Sequence, residues 1–296
     1  MLVRARGRAG GPPLNAHTIA PGERHEDADG VPLVDPVDTV DPVCTDADDK
    51  GRSVLGRVDC IIGAFDDANS VLSLNDLTQR TELPKSTVHR MVEQLRRIGW
   101  LEREVSGYRV GIKLFEVGGL AARRNQLCES AYPHLHALST DTELAVQLAI
   151  LEGTDVLYLE RIPMGGFRLP TRQGGRMPAY CTALGKAMLA FDDEATERVL
   201  AAPLRRRTSR TLTTAAALHG DLDRVRELGL AFDEQESFDG LACVAAPIRN
   251  AGRAIAAVSV TGPVSRIDLH ATAPLLRQTA KLIWDDRFQV RRRPRH

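Results

Sequence analysis

The stretch from Leu72 to Lys113 constrains the fold most strongly, because its pattern predicts two short helices across a turn and then a hairpin. Ser73 is placed to cap the first helix, and Asp76 stands three residues later, where an acidic side chain completes a capping box. We expect this helix to end near Glu82. The short turn after it leads directly into the second helix.

The second helix starts at Pro84, whose fixed φ suits a first helical position, and stops at Gly99. Its inner face is apolar at helical spacing: Val88, Met91, Val92 and Leu95. Its outer side is rich in hydrogen-bonding groups: Ser86, Thr87, His89, Arg90, Glu93, Gln94 and Arg97. The segments LEREV and YRVGI then alternate apolar and polar residues around Ser106-Gly107, as a hairpin does. Helix, turn, helix and hairpin together predict a winged helix-turn-helix.

Positive charge is concentrated in this region. Between Arg80 and Lys113 there are eight basic residues and four glutamates, a local net charge of +4, whereas the whole chain has 39 basic and 39 acidic residues. A local basic surface is typical of proteins that bind nucleic acid. The alternative interpretation is a packing unit with a solvated basic face, since helix-turn-helix units also occur in proteins that bind no DNA.

The sequence LPKSTVHRMVEQLRRIGWLER closely resembles the recognition helix and wing entry of the IclR (isocitrate lyase regulator) family of bacterial transcription regulators. The resemblance implies binding to double-stranded operator DNA. The predicted DNA-binding residues are Lys85, Ser86, Thr87, His89, Arg90, Arg103 and Arg109. From their outward positions, Ser86 and Arg90 are expected at base edges, and Lys85, Arg103 and Arg109 at phosphates.

The chain departs from the family in the turn before the recognition helix, where the family usually has glycine and this chain has Glu82. A left-handed φ at a non-glycine residue costs on the order of 1 kcal/mol. The turn is therefore expected either to differ slightly or to be kept at some loss of stability.

The N-terminal segment, residues 1–50, is rich first in glycine, proline and arginine and then in aspartate, with little periodicity. We predict a disordered extension. A solvated tail, or a start codon placed too early, explains this composition better than a DNA contact through Arg4, Arg6 and Arg8. The resemblance to the family does not include this segment.

The DNA-binding domain is predicted to span residues 51–112, and its first helix follows from the apolar spacing between Val54 and Phe65. A linker helix at 113–126 has Leu114, Val117 and Ala121 on one side. Two adjacent glycines weaken that helix by about 1 kcal/mol each, so it needs a partner surface. The resemblance implies that this helix pairs with its twin in a dimer.

Five cysteines at widely spaced positions, without a CxxC pair, indicate neither a disulfide framework nor a zinc ribbon. No apolar run is long enough to cross a membrane, and the N-terminus lacks the apolar core of a secretory signal. We therefore expect a soluble cytoplasmic protein with no membrane partner, no metal and no cofactor.

Residues 127–288 are predicted to form a second domain, followed by a basic tail at 289–296. A helix comes first, then two hairpin strands, LAVQLAIL and VLYLERI, and a short strand at 168–172. Helices follow in CTALGKAMLAF, DEATERVLAA and TTAAALHGDLDRVRELG, and strands return at LAFDE, LACVAAPIR and AIAAVSVTG before a closing helix. Because hairpins outnumber crossovers, the pattern favours an α+β domain with a mostly antiparallel sheet.

This second domain resembles the same family in RMPAYCTALGKAMLA and in FDEQESFDGLACVAAPIRNAGRAIAAVSVTGP, so the resemblance spans about residues 52–288. It implies a GAF-like or PAS-like effector-binding domain and a dimeric or tetrameric assembly. It also places eight residues in a pocket: Gly166, Leu169, Met177, Asp233, Leu241, Cys243, Ser259 and Thr261. Each has an ordinary alternative as a core or strand residue, and only their combined spacing favours a pocket for a small organic acid.

The helix that starts near Ala183 adds a second argument for that pocket. The N–H groups of Ala183 and Leu184, in its first turn, are suited to a carboxylate. Asp233 would then face a hydroxyl or a protonated end of the ligand, with Cys243 and Ser259 along the wall between them. Removal of the Asp233 side chain is thus expected to abolish the ligand's effect on DNA binding and to leave the fold near normal.

Signatures of enzymes are weak in this chain. Gly185-Lys186 is not a phosphate loop, because Tyr180 and Ala187 stand where a Walker motif needs glycine and Ser or Thr. Cys181 stands at a helix start, where the dipole favours a thiolate, but no histidine lies nearby in sequence to act as its base. A packing role is the favoured interpretation, and we expect no catalytic residues.

The sequence therefore predicts a homo-oligomeric transcription regulator that binds operator DNA through its N-terminal domain and senses a small organic metabolite, a carboxylate or aromatic acid, through its C-terminal domain. The alternative is an enzyme or a metabolite-sequestering protein that uses the C-terminal cavity, with the N-terminal domain as a protein-docking module. The identity of the effector, the operator sequence, and the choice between repressor and activator do not follow from the sequence.

Overall fold

The computed structural model of the chain describes residues 53–66, 69–124, 126–163 and 169–289. The predicted extension at 1–50 lies outside the described residues, as does the predicted basic tail apart from its first residue.

The N-terminal part of the described chain is a winged helix-turn-helix. Its elements are α1 (Val54–Gly63), β1 (Val71–Leu72), α2 (Leu74–Thr81), α3 (Lys85–Arg97), β2 (Leu101–Arg103) and β3 (Tyr108–Val110). The three strands form an antiparallel sheet in the order β1-β3-β2, and β1 is an addition to the hairpin that the sequence predicted. A separate small core fixes these elements, with Ile61, Leu77, Val92 and Leu101 fully buried.

Local signals placed both ends of α2 correctly, whereas α3 begins at Lys85, with Pro84 as its N-cap and not its first helical residue. The Ser73 side chain accepts a hydrogen bond from the Asp76 N–H at 3.2 Å, and the Asp76 carboxylate accepts one from the Ser73 N–H at 2.8 Å, which completes the capping box. Glu82 has a φ of +55°, so the left-handed turn is kept without glycine. The turn geometry of the family is therefore retained against an opposing strain of on the order of 1 kcal/mol.

The first helix is less buried than its apolar pattern suggested. Cys60 and Ile61 are buried, but Val54 and Leu55 are 58% and 79% exposed. Cys128, Cys181 and Cys243 are free thiols.

Two helices follow the wing: α4 (Ile112–Arg124) and α5 (Gln126–Thr142). Helix α4 coincides with the predicted linker helix and exposes several apolar side chains: Ile112, Phe115, Val117 and Leu120. Helix α5 buries Leu127, Ala131, Leu135 and Leu138 in the core of the C-terminal part.

The C-terminal part is built on a six-stranded antiparallel sheet in the order β6-β5-β4-β9-β8-β7. Its strands are β4 (Ala145–Glu152), β5 (Asp155–Ile162), β6 (Arg176–Pro178), β7 (Ala231–Glu234), β8 (Leu241–Asn250) and β9 (Arg253–Pro263). Its helices after α5 are α6 (Ala183–Leu189), α7 (Asp193–Leu200), α8 (Ala215–Leu228) and α9 (Leu269–Gln289). Helices α5 and α9 pack on each other and on the sheet, and α6 packs on β7, β8 and β9.

The α+β class and the mostly antiparallel sheet are confirmed. One strand was placed wrongly: residues 169–172 are not a strand, and β6 lies instead at Arg176–Pro178, after the Gln173-Gly174-Gly175 turn. The hydrogen bonds of β6 to β5 decide its position. Among the described residues, no helix combines the length and apolar character needed to span a bilayer.

Candidate functional site

Helix α3 presents its polar side to solvent because its other side is buried in the winged-helix core. The buried residues are Val88, Met91, Val92 and Leu95. Of the five predicted DNA-binding residues on this helix, Lys85, Ser86, His89 and Arg90 are exposed, and Thr87 is partly buried. These side chains are thus available on a helix whose position is fixed by packing, as readout of base edges requires.

The two arginines of the wing differ in their partners. The guanidinium carbon of Arg103, an exposed residue, lies 4.7 Å from the centre of the Tyr108 ring. Arg109 is instead bound by two carboxylates, at 2.7 Å from Glu102 and 2.9 Å from Glu104. Its predicted phosphate contact would therefore require exchange of these two ion pairs, which the contact predicted for Arg103 does not.

A cleft between the wing and the start of α2 brings the two other predicted phosphate-binding residues together. It is lined by Ser73, Leu74, Asn75, Lys85, Arg103, Ser106 and Gly107. The Lys85 ammonium donates a hydrogen bond to the Asn75 side-chain oxygen at 2.9 Å. A Cβ atom at Gly107 would lie 2.3 Å from the Leu72 carbonyl oxygen, so only glycine lets the wing pack this closely against β1.

The second candidate site is a cavity in the C-terminal part, between α6, the sheet and the segment at 169–171. Its lining residues are Gln147, Tyr158, Leu169, Pro170, Thr171, Thr182, Ala183, Leu184, Asp233, Ser237, Phe238, Leu241, Cys243, Ser259 and Thr261. The space open to the centre of a water-sized sphere is about 20 Å³, which is room for about one water. A ligand of several atoms therefore enters only when part of the lining moves.

Strand register builds the floor of this cavity. Gln147 on β4 is the cross-strand partner of Ser259 on β9. Thr261, two residues along β9, is opposite Cys243 on β8, and Cys243 is opposite Asp233 on β7. Because side chains alternate along a strand, these five polar side chains share one face of the sheet.

The cavity brings together eight of the predicted effector-binding residues: Leu169, Ala183, Leu184, Asp233, Leu241, Cys243, Ser259 and Thr261. Met177 is buried on β6, where it pairs with Val156, and it is not among the described residues that line the cavity. Gly166 lies outside the described residues.

Seven lining residues were not predicted: Gln147, Tyr158, Pro170, Thr171, Thr182, Ser237 and Phe238. Gln147 carried a signal, because it is the single polar residue in the strand LAVQLAIL. An amide in the middle of a buried strand needs hydrogen-bond partners, so such a residue marks a polar site inside the core.

The start of α6 forms one wall of the cavity. Thr182 is the N-cap, and its hydroxyl accepts a hydrogen bond from the Gly185 N–H at 3.1 Å. In the first turn of a helix the N–H groups have no partner within the helix, so those of Ala183 and Leu184 remain as donors beside the cavity.

Asp233 lies in the cavity wall, but its carboxylate is occupied by its own chain. It accepts hydrogen bonds from the Glu236 N–H at 2.6 Å, from the Ser237 N–H at 3.3 Å and from the Ser237 hydroxyl. Burial raises the pKa of Asp233, while the Ser237 hydrogen bond and the charge of Lys186 oppose the rise. These hydrogen bonds hold the turn between β7 and β8, and the contact of Asp233 with a ligand hydroxyl stays a prediction.

A buried ion cluster stands behind that turn. Lys186 is 1% exposed, and its ammonium lies 2.5 Å from the Glu236 carboxylate and 2.8 Å from the Asp221 carboxylate. Burial by itself would lower the pKa of Lys186, but the two carboxylates outweigh it and raise that pKa. Arg224 also pairs with Asp221. The cluster ties α6 and α8 to the turn that lines the cavity.

Glu236 is the weakly satisfied member of this cluster. Its Oε2 atom has no hydrogen-bond partner among the residues that the structure describes. Burial raises the pKa of Glu236 to about 7, although the adjacent Lys186 charge lowers it. The side chain therefore changes its charge close to neutral pH.

A pH dependence of stability follows from Glu236. The pKa in the folded protein is above the ordinary value, so this group's contribution to stability is present below about pH 4.5 and is lost as pH rises through about 7. The variant Glu236→Gln does not titrate at this position. Its free energy of unfolding relative to that of the parent should therefore increase by about 1–3 kcal/mol as pH rises from 5 to 8. Urea unfolding of both proteins across this range is the measurement, and a constant difference would contradict the assignment.

The cysteines near the cavity are protonated thiols. Burial raises the pKa of Cys181 to about 12, and burial also raises the pKa of Cys243 far above its usual range. Cys181 lies in a short 3-10 turn at Ala179–Cys181, one residue before the N-cap of α6, and its thiol donates to the Pro178 carbonyl at 3.5 Å. These facts favour the packing role of Cys181 over that of a nucleophile.

Comparison with known proteins gives two matching family descriptions. "IclR helix-turn-helix domain" matches residues 55–105, and "Bacterial transcriptional regulator IclR C-terminal" matches residues 120–283. The first match includes five of the seven residues that line the cleft beside α3, and the second includes all the residues that line the cavity.

Individual relatives agree with these matches. The HTH-type transcriptional regulator KdgR of Escherichia coli is 34% identical over 74% of this chain and 84% of its own length. The Pca regulon regulatory protein of Pseudomonas putida is 33% identical over 72% of this chain and 75% of its own. An IclR homolog from Microbacterium hydrocarbonoxydans, solved in complex with 4-hydroxybenzoate, has a TM-score of 0.71 and 32% identity over 79% of this chain and 98% of its own. The chain belongs to the IclR family of bacterial transcriptional regulators.

Proposed function

We propose that this protein binds operator DNA through the winged helix and that a small organic acid in the C-terminal cavity changes its DNA affinity. The observation that carries the proposal is the cavity itself, because it gathers eight residues that were assigned to effector binding before any geometry was considered. A ligand that needs the lining to move has different affinities for the two arrangements, which is the requirement for control of a distant site.

An aromatic acid is the effector class that the lining favours. The rings of Tyr158 and Phe238 form part of the wall, and the Arg207 guanidinium lies 5.7 Å from the centre of the Phe238 ring. The N–H groups of Ala183 and Leu184 add neutral donors suited to a carboxylate. Since a solved relative holds 4-hydroxybenzoate, that compound is the first to test, by measuring operator affinity with and without it. If no aromatic or aliphatic acid changes either DNA affinity or thermal midpoint, the sensing role is refuted.

The alternative, an enzyme or a sequestering protein, has no observation in its favour. Cys181 is a protonated, buried thiol, and the family matches are to transcriptional regulators. A DNA-binding regulator acts where the chromosome is, so the proposal places this protein in the bacterial cytoplasm. The direction of control, repression or activation, is left open by the fold.

Readout of the operator should depend on Arg90. Its exposed side chain on α3 is proposed to reach base edges, so Arg90→Ala should weaken operator binding by about 1–3 kcal/mol and relax sequence preference. Arg103→Ala should weaken binding to all sequences alike and lower the salt slope by about one, because its charge is proposed to meet a phosphate. Fluorescence anisotropy at several salt concentrations separates the two effects.

Arg109→Ala is the matched control for the wing. Its charge is compensated by Glu102 and Glu104, so the salt slope should stay close to that of the parent. If Arg90→Ala binds the operator as tightly as the parent, α3 is not the recognition helix.

Assembly through α4 is proposed from its exposed apolar side chains. Phe115 is 76% exposed, Ile112 and Leu120 are each 64% exposed, and Val117 is 50% exposed. A Cβ atom added at Gly118 or Gly119 would meet nothing within 4 Å, so a partner helix has room to approach. A second copy of α4 fits this surface, because two winged helices must act together to recognise an operator of two half-sites. A tetramer would need a further interface.

Charge placed on α4 should therefore separate the protomers. Phe115→Glu and Val117→Asp should each give folded monomers that bind the operator poorly, since a buried unpaired carboxylate opposes association. Light scattering reports the mass, and circular dichroism reports the fold. Val105→Glu is the matched control, because Val105 is fully exposed at the wing tip, and this variant should stay dimeric. If the variants of α4 remain dimeric, the dimer interface lies elsewhere.

A further inference from the structure

Gln147 has hydrogen-bonding capacity that the described residues do not use up. Its side-chain oxygen accepts from the Thr261 hydroxyl at 3.1 Å, and its amide nitrogen donates to the Thr171 hydroxyl at 2.6 Å. Cys243 lies 2.9 Å from the Thr261 hydroxyl and keeps its proton, so it is the donor in that contact. The donor chain from Cys243 through Thr261 fixes the orientation of the Gln147 amide. One N–H of that amide is engaged by Thr171, and the second remains.

Ser259 supplies an independent observation beside Gln147. It is 1% exposed, lines the cavity, and its hydroxyl has no hydrogen-bond partner among the residues that the structure describes. A buried hydroxyl without a partner is unfavourable, so it points to a ligand group that binds there. Ser259 and Gln147 are direct cross-strand partners on the floor of the same cavity. Two adjacent neutral donors therefore face the same small space.

Two charged side chains near the cavity, Asp233 and Lys186, cannot replace these donors. Asp233 is held by the N–H groups of Glu236 and Ser237 and by the Ser237 hydroxyl. The Lys186 ammonium is held by two carboxylates. An incoming ligand oxygen would have to break one of these buried networks to use either side chain, which is unfavourable.

We propose that Gln147 and Ser259 together bind one hydrogen-bond-accepting oxygen of the effector, and that the Gln147–Thr171 hydrogen bond is exchanged for this contact because the closed cavity has room for only about one water. The proposal rests on the effector-binding function of the cavity and adds Gln147 as the residue that selects for an oxygen at this place. Release of Thr171 also frees the segment Leu169–Thr171 at the cavity wall, which gives the space that a ligand larger than one water needs. Binding of the effector in the cavity and movement of the cavity wall then occur together.

Three variants of the full-length protein test this exchange, with 4-hydroxybenzoate and benzoate as the probes, which differ in one oxygen. Gln147→Met removes the amide at similar size, Ser259→Ala removes the hydroxyl, and Thr171→Val removes the internal competitor. Dissociation constants come from titration calorimetry, and thermal midpoints are measured without ligand. We expect Gln147→Met and Ser259→Ala to weaken binding of the tighter probe about tenfold, the size of one hydrogen bond. Thr171→Val should tighten binding severalfold.

If the Gln147–Thr171 contact were merely structural, Gln147→Met and Thr171→Val would not change the probe affinity in opposite directions. Equal weakening by both variants overturns the exchange. The thermal midpoint of ligand-free Ser259→Ala should be equal to or above that of the parent, because an unpartnered hydroxyl is removed. A clear fall in that midpoint would mean that the Ser259 hydroxyl is not unpartnered. That result overturns the proposed pair of Gln147 and Ser259 even without a ligand. If the parent binds neither probe, the aromatic-acid part of the proposed function fails, and the Ser259→Ala midpoint still decides the pair.

Discussion

Replacing Lys186 by methionine is expected to lower the free energy of unfolding by about 3–5 kcal/mol, since it leaves the buried Glu236 carboxylate without its cation and Asp221 with only the exposed Arg224. Asp221 and Glu236 are each 8% exposed, so water cannot take over the role of the ammonium. Methionine has nearly the length of the lysine chain, and lost packing should therefore contribute little. Urea unfolding of the parent and the variant at pH 7 measures the difference.

Two controls separate the buried cluster from a general effect of losing a lysine. Lys281 is exposed on α9, and Lys281→Met should change stability by less than about 0.5 kcal/mol. Adding Glu236→Gln to Lys186→Met should recover part of the loss, because one uncompensated carboxylate is removed. If Lys186→Met unfolds at the same urea concentration as the parent, the cluster does not stabilise the fold.

The segment Gly185-Lys186 shows what a motif search can and cannot establish. The sequence was enough to exclude a phosphate loop, because the flanking residues are wrong. It was not enough to say why glycine and lysine are adjacent. A Cβ atom at Gly185 would lie 2.1 Å from the Ala179 carbonyl oxygen, and Lys186 pairs with carboxylates 35 and 50 residues away, counted from Asp221 and Glu236. Both reasons depend on contacts that no local pattern encodes.

Elements with local causes were predictable, and elements with distant causes were not. The Ser73–Asp76 capping box depends on residues three apart, and it forms as expected. Strand β6 depends on pairing with β5, and the alternation at 168–172 gave it a false position. Arg109 depends on hairpin register, which sets it opposite Glu102. When the register is not known, a basic residue on a wing is interpreted as a phosphate contact.

The residues that line the cavity were likewise predicted only in part. Those on β8 and β9 came from resemblance to the family, and strand register does bring them onto one face. Gln147 and Tyr158 were missed because they lie on earlier strands that the resemblance did not single out. The role of Asp233 in the turn was not predicted, because the N–H groups that bind it belong to a turn whose conformation, with Gln235 at a φ of +68°, is not visible in the sequence.

Asp233→Ala should therefore lose several kcal/mol of stability, of order 3, and not only the response to ligand. The substitution leaves the Glu236 N–H, the Ser237 N–H and the Ser237 hydroxyl without their acceptor in a buried turn. Hydrogen bonds to a charged group are worth about 1.5–3 kcal/mol, and an unsatisfied buried donor adds its own desolvation penalty. Urea unfolding reports the loss.

Asp233→Asn provides the matched comparison. Its side-chain oxygen can still accept from the Glu236 and Ser237 N–H groups, and its amide can donate to the Ser237 hydroxyl, which is able to accept. Because Asn keeps all three hydrogen bonds of the turn, the variant should stay within about 1 kcal/mol of the parent. Since the same turn places Ser237 and Phe238 in the cavity wall, Asp233→Asn should also keep the effector response that Asp233→Ala loses. Should Asp233→Ala be as stable as the parent and still fail to respond to an effector, the carboxylate contacts the ligand directly, and its assignment to the turn is wrong.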